Sequence, residues 1–317
     1  MKKELIKKPK KEKHVIVTMD STKLKPLYDH ALEHFKDSVD VPGFRKGKVP
    51  KEVLKTKVDK KKLDNVVLNH LYPDLVQQII KEFKIVPVMQ PKLKIDYISE
   101  EKGLKITFIF VERPNVKLPD YKKIAKKSYK NFEKDEKAKS IITAKNIKEA
   151  EQKAKENPKD LNQHQPKDQR LLANIYDAII KESKIELPDI MVNEETNRLL
   201  QGFLTQLAKM NIKLEDFLAH TKTTIQKVQE DYKQQAIKNL KLEFILSEIS
   251  KKEKLKVTDK EIQDVIKAVP DENYKKHLQK PEQKYYIEST LLKNKVANKL
   301  LDYSGFNKQN TKKSVKK

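Results

Sequence analysis

Only five of the 317 residues are glycine, and that scarcity limits the fold more than any other feature. Glycine turns a chain at positive φ without steric cost, and an ordinary globular chain carries roughly 7% of it. A chain with so few has little material for hairpins and tight loops. It is expected to consist mainly of long helices joined by short links. Hydrophobic residues make up 37% of the sequence, which is low for one compact core. Helical arms with a high ratio of surface to volume would account for that figure, as would partial disorder. Length suggests two or three domains.

Apolar periodicity places the elements. Residues 1–13 form a lysine-rich leader, expected to be mobile. From His14 to Met19, Val15, Val17 and Met19 fall on one side, as in a strand. Ser21 is placed to cap a helix running to about Lys36, and a second long helix is expected over Leu63–Phe83. Strands follow at Lys92–Ile98 and Leu104–Val111, turned by Gly103, with Leu93, Ile95 and Tyr97 alternating on the first and Leu104, Ile106, Phe108 and Phe110 on the second. Residues 14–113 therefore read as an α+β domain. Residues 114–170 read as a linker and a polar helix. Residues 171–305 carry one helical apolar stripe after another, beginning with Leu171, Leu172, Ile175, Ile179 and Ile180. Thr258 and Glu261 form a capping-box pattern, and Gly305 is placed as the C-cap of the last helix. Residues 306–317 are a basic tail. The fold class expected is an α+β N-terminal domain followed by a mainly α-helical, elongated C-terminal domain.

The net charge is +24, a field that attracts phosphate and other anionic surfaces. Only Arg45, Arg113, Arg170 and Arg198 are arginine, against 66 lysines, so the total also suits simple solubility, and where charge concentrates matters more than its sum. Cysteine is absent, which excludes disulfides and thiolate metal sites. Met1–Lys13 is not followed by the apolar core of a signal peptide, and no run approaches the ~18 apolar residues of a membrane span. A soluble, cytoplasmic protein is expected.

The charge concentrates after Gly43, where nine basic and two acidic residues lie before Leu63. At its start, Phe44-Arg45-Lys46 stands between Gly43 and Gly47, with Lys48, Val49 and Pro50 following, in a loop that joins two helices. The planar guanidinium of Arg45 can grip a phosphate or a carboxylate bidentately, which lysine cannot. Phe44 adds an apolar anchor able to enter a pocket or stack on a base. Lys46 and Lys48 add attraction to RNA. Such a tip suits docking on a mixed surface of RNA and protein. It equally describes a solvated basic turn with Phe44 tucked into its own domain.

The segment Gly43-Phe-Arg-Lys-Gly-Lys-Val-Pro50 resembles the ribosome-binding signature of the trigger factor family. Ile185-Glu-Leu-Pro188, Glu194-Glu195 and Lys254-Leu-Lys-Val-Thr-Asp-Lys-Glu-Ile262 resemble that family's C-terminal helical domain. The resemblance implies an ATP-independent chaperone that docks at the nascent-chain exit of the large ribosomal subunit, through a ribosomal protein and nearby rRNA. By match to the motif, Phe44, Arg45 and Lys46 would be the contacts, with Gly43 and Gly47 shaping the loop. The partners implied are the ribosome and unfolded nascent polypeptides, with a homodimer as a state off the ribosome; neither membrane, nucleotide, metal nor other cofactor is expected. The sequence departs from the family in its middle. Trigger factors usually carry an FKBP-type prolyl-isomerase domain there, whereas only about 50 residues without a glycine separate Tyr121 from Leu171. Such a stretch is too short and too polar for an isomerase pocket, so no enzymatic activity is expected.

A chaperone must cover apolar segments weakly at many points, which suits helical arms bearing separated apolar patches. Phe203, Leu207, Met210, Phe217 and Tyr232 are candidates for that contact, and each has the spacing of an ordinary helix–helix core residue as well. Two other patterns carry less. His30-Ala-Leu-Glu33-His34 has the order of a zinc-peptidase helix, without an evident third ligand. A plain RNA-binding protein would need stacking aromatics among its lysines, for which Tyr97, Phe108 and Phe110 are the available residues. Gly43-x-x-x-Gly47-Lys48 is too short for a phosphate-binding loop and lacks the following Ser or Thr.

Overall fold

A computed structural model describes residues 1–36, 39–45, 47–145 and 166–307. The chain divides into two units, Met1–Pro114 and Asn115–Lys317. The first is α+β and the second is almost entirely helical.

In the N-terminal unit, strands β1 (Lys2–Lys7), β2 (Glu12–Met19), β3 (Lys92–Ser99) and β4 (Gly103–Val111) form one antiparallel sheet in the order β1-β2-β4-β3. Helices α1 (Ser21–Glu33), α2 (Lys51–Lys57) and α3 (Lys60–Phe83) complete the unit. The alternation read from the sequence sets the register. Val15 faces Phe108, Val17 faces Ile106 and Met19 faces Leu104, and all six are buried against Leu24, Tyr28, Leu32, Val67 and Ile79 of the helices. The Tyr28 hydroxyl donates to Asp64, which ties α1 to α3 inside this core. Gly103 opens β4 where a Cβ would stand 2.2 Å from the Met19 carbonyl oxygen, so no other residue fits the turn.

Two expectations fail here. The leader is not a free arm: residues 2–7 pair with residues 13–18 as an edge strand, and Leu5 packs against the core. Its hairpin is turned without glycine, by Lys10 at φ 55° and Lys11 at φ 63°. The alternation on β3 breaks as well. The register shifts between Ile95 and Tyr97, and a bulge of this kind moves the following side chains to the other face. Tyr97 is therefore exposed and Ile98 returns to the core in its place, while Ile95, ahead of the shift, is exposed as well.

The C-terminal unit contains α4 (Tyr121–Lys145), α5 (Lys167–Glu182), α6 (Asp189–Lys209), α7 (Leu214–Thr221), α8 (Ile225–Lys252), α9 (Asp259–Lys267), α10 (Glu272–Leu278) and α11 (Pro281–Ser304). A two-residue pairing of β5 (Val116–Lys117) with β6 (Lys184–Ile185) closes its entry. The main core gathers Tyr121, Ile124 and Phe132 of α4, Ile175 and Ile179 of α5, Ile245 and Ile249 of α8, and Val296 and Leu300 of α11. Residues 114–145 are thus more than a linker. The stripe Tyr121, Ile124, Ala125, Ser128, Phe132 is buried and narrow, with lysines on the remaining faces, so it is easily mistaken for a polar helix. Residues 146–165 of the stretch 114–170 lie outside the described residues. The tail is also anchored at its start: Phe306 packs on Tyr129, ring centroids 6.1 Å apart, while residues 308–317 lie outside the described residues. A satellite core of Ile262, Ile266, Leu278 and Ile287 joins α9, α10 and α11. The capping box is formed, Glu261 accepting from the Thr258 backbone N–H at 2.8 Å. Gly305 caps α11.

Glu253, the C-cap of α8, holds the main core's helices together from outside. It accepts from the Tyr121 hydroxyl at 2.5 Å and the Tyr303 hydroxyl at 2.6 Å, and its ion-pair partner Lys122 lies 3.1 Å away. The Tyr121 and Tyr303 hydrogen bonds, with Lys122, hold its carboxyl down at about 2.

Candidate functional site: an exposed loop

The loop after α1 is fixed at both ends and bare at its tip. Val41 and Val49 are buried, so each anchors one end of the loop in the core. The Gly47 N–H donates to the Lys36 carbonyl at 3.2 Å, tying the loop back to the end of α1. Two turns lie between the anchors: Phe44 N–H donates to Val41 at 3.1 Å and Lys48 N–H to Arg45 at 2.9 Å. Gly43 has φ +90° and Gly47 φ +80°, a region costly for any residue with a side chain. Between them Phe44 is 41% exposed. Arg45 and Lys48 are exposed too. Lys46 lies outside the described residues.

Exposure of Phe44 runs against the usual economy of folding, since burying such a ring is worth about 1.5–3 kcal/mol. Two of the other three arginines underline the position of Arg45. Arg170 grips Glu136 with two bonds, 2.8 and 3.1 Å, and Arg198 grips Glu195 at 2.7 and 2.6 Å. Among the described residues no carboxylate holds the Arg45 guanidinium. It can therefore make the same bidentate grip on a phosphate or carboxylate from elsewhere.

The five candidates for client contact do not form one surface. Phe203, Phe217 and Tyr232 pack on one another, Phe203 lying 5.1 Å from Phe217 and 5.4 Å from Tyr232 between ring centroids. All three are half-buried. Leu207 is buried and belongs to the helix–helix core, a correction that follows from α6 lying along α8. Met210, 59% exposed, presents its side chain to solvent, and so does Leu204. Tyr274, Tyr285 and Tyr286 are further exposed rings that periodicity did not single out.

Of the three aromatics offered for base stacking, Phe108 and Phe110 are fully buried in the sheet's inner face, which leaves only Tyr97 exposed. The zinc-peptidase pattern fares differently. Glu33 is ion-paired with Lys36, and with Lys51 at 3.2 Å; the Lys36 bond holds its carboxyl below the usual range. A carboxylate so engaged is a poor general base. His70 of α3, however, lies beside His30 and His34, supplying the third imidazole that sequence distance concealed.

No helix among the described residues is long and apolar enough to cross a membrane. Known proteins give the arrangement its context. A family model described as bacterial trigger factor protein (TF) matches residues 1–159, and one described as bacterial trigger factor protein (TF) C-terminus matches residues 146–302. Trigger factor of Clostridioides difficile (strain 630) is 33% identical over 136 residues, 43% of this chain and 32% of the relative. Trigger factor of Streptococcus pneumoniae (strain Hungary19A-6) is 38% identical over 109 residues, 34% of this chain and 25% of the relative. The matches thus span a third or less of these relatives' length. A solved trigger factor chaperone, from work on promiscuous substrate recognition in folding and assembly, superimposes with a TM-score of 0.57 at 15% identity. That match covers 95% of this chain and 99% of the other, and at this identity it speaks for the fold. With family models matching residues 1–159 and 146–302, the chain belongs to the bacterial trigger factor family.

Proposed function

We propose that the protein is a ribosome-docking chaperone that shields nascent polypeptides without nucleotide. The observation that carries this reading is the loop. A ring, and a guanidinium that no carboxylate among the described residues holds, stand exposed on a turn whose two ends are buried, an arrangement that costs folding energy and is useful to a partner. Phe44 would enter an apolar depression on a ribosomal protein of the large subunit's exit site, and Arg45 would grip a carboxylate or an rRNA phosphate. Lys46 and Lys48 would add salt-dependent attraction. Clients would be met by scattered side chains such as Leu204 and Met210, each weakly, so that release needs no energy input. The C-terminal family model begins before the N-terminal one ends, and we do not extend prolyl isomerisation to this chain. A cytoplasmic location, and a homodimer when off the ribosome, accompany this reading.

Co-sedimentation with 70S ribosomes at physiological salt tests it. The combined variant Phe44→Ala, Arg45→Ala, Lys46→Ala should lose most of its binding while the wild type pellets with the ribosomes. Undiminished pelleting of the variant would mean that bulk charge, not the loop, does the docking.

A further inference from the structure

Three of the chain's seven histidines meet on the surface of the N-terminal unit. His30 lies in the last turn of α1 and His34 is its C-cap, one turn further on. His70 comes from the middle of α3. Their ring centroids are 5.4, 5.3 and 4.9 Å apart, and one ring nitrogen from each lies within 4.8 Å of the other two. A point equidistant from three centroids so spaced is about 3 Å from each, while a Zn–N bond of about 2.0–2.1 Å plus ~1.1 Å from nitrogen to ring centre gives nearly the same length. All three side chains are exposed, so small rotations suffice to turn their nitrogens inward. The C-terminal end of α1 also carries the negative end of the helix dipole, which favours a cation there.

We infer that His30, His34 and His70 form a binding site for a divalent transition-metal ion of the zinc, nickel and copper group. Neutral imidazole is a ligand for these ions, whereas magnesium and calcium require oxygen. The ion would clamp the end of α1 to α3, two residues before Lys36, whose carbonyl receives the Gly47 N–H of the loop. Its role is structural: Glu33, the base that a hydrolytic site would need, is occupied by two lysines. The inference stands on the imidazole geometry and does not depend on ribosome docking.

Calorimetric titration of the full chain with zinc chloride tests it, with magnesium chloride as a second titrant. One zinc ion per chain is expected, and no magnesium. His30→Gln, His34→Gln and His70→Gln should each weaken zinc binding at least as much as the roughly 10–100-fold typical of losing an outer-shell partner. His277→Gln, in the C-terminal unit, should leave it unchanged. Zinc should raise the unfolding temperature of the wild type and not that of His70→Gln. Retained one-site affinity in His70→Gln, or an equal loss in His277→Gln, overturns the site. The three side chains are exposed and outside the core, so circular dichroism of each variant should match the wild type.

Discussion

The two units solve the same problem, holding helices in register, with the same chemical pair used differently. In the N-terminal unit a single tyrosine, Tyr28, donates to a single carboxylate, Asp64, inside the core. In the C-terminal unit one carboxylate, Glu253, collects Tyr121, Tyr303 and Lys122 from α4 and α11 at the core's edge. Their exposed apolar groups follow the same contrast. Besides Met1, Val86, Val88, Ile95 and Tyr97, the N-terminal unit sets Phe44 beside Arg45 on one anchored loop, whereas the C-terminal unit spreads Leu204, Met210, Ile225, Tyr274, Tyr285 and Tyr286 along its helices with no comparable loop. On the proposed reading, docking is concentrated in the first unit and holding is dispersed over the second. Single substitutions should then act sharply in the first unit and softly in the second, except at the shared carboxylate.

That exception gives the largest effect. Glu253→Gln should destabilise the C-terminal unit by about 1.5–3 kcal/mol, the range for hydrogen bonds to a charged group, because three partners lose their charged anchor together. Tyr121→Phe should cost less than Tyr28→Phe, since Glu253 keeps Tyr303 and Lys122 while Asp64 loses its only tyrosine donor. Urea unfolding followed by helix signal measures all three, and an equal cost for the two tyrosines would break the comparison. The pH dependence has a definite sign. Glu253 is held down to about 2 in the folded chain, against about 4.3 for an unperturbed glutamate. Its contribution is therefore complete above the unfolded value and fades as pH falls from about 4.3 toward 2. In Glu253→Gln that part of the acid sensitivity should vanish.

The loop comes next. Gly47→Ala places a Cβ at φ +80°, for which a cost of about 1 kcal/mol is expected. Because the strain sits in an exposed turn, it should appear mainly as altered loop geometry. Ribosome co-sedimentation should weaken while the unfolding midpoint of the unit shifts by only a few degrees. If docking is unchanged, the loop tolerates a range of shapes and its side chains alone matter.

Much of this was readable beforehand, and the failures have physical causes. Val15, Val17, Leu104, Ile106, Phe108 and Phe110 alternate in sequence and are buried together, because a two-residue period survives wherever a ladder is regular. It failed on β3, where a bulge between Ile95 and Tyr97 changes the face. Scarce glycine implies a helical chain but does not forbid the first hairpin. Here lysine does glycine's work: Lys10, Lys11, Lys84, Lys222 and Lys254 all sit at positive φ. A sequence shows no penalty already offset by pairing elsewhere. The loop was legible because its chemistry is contiguous. The histidine trio was not, since His70 is 36 positions from His34 and only the packing of α1 on α3 joins them.

The smallest effects test the dispersed half of the comparison. Leu204 and Met210 are 46% and 59% exposed on the solvent side of α6 and its C-cap. Leu204→Ser and Met210→Ser should each change stability by no more than about 0.5 kcal/mol, as surface substitutions away from special features do. If clients are held by many weak contacts, each variant should slow capture of an aggregating client only slightly. The pair combined with Tyr285→Ser and Tyr286→Ser should lose much more than any single change, since losses in a multivalent grip multiply when contacts are independent. Light scattering of a refolding client at equal chaperone concentration reads this directly. A single variant that abolishes protection would show that the C-terminal unit, like the loop, concentrates its function in one place.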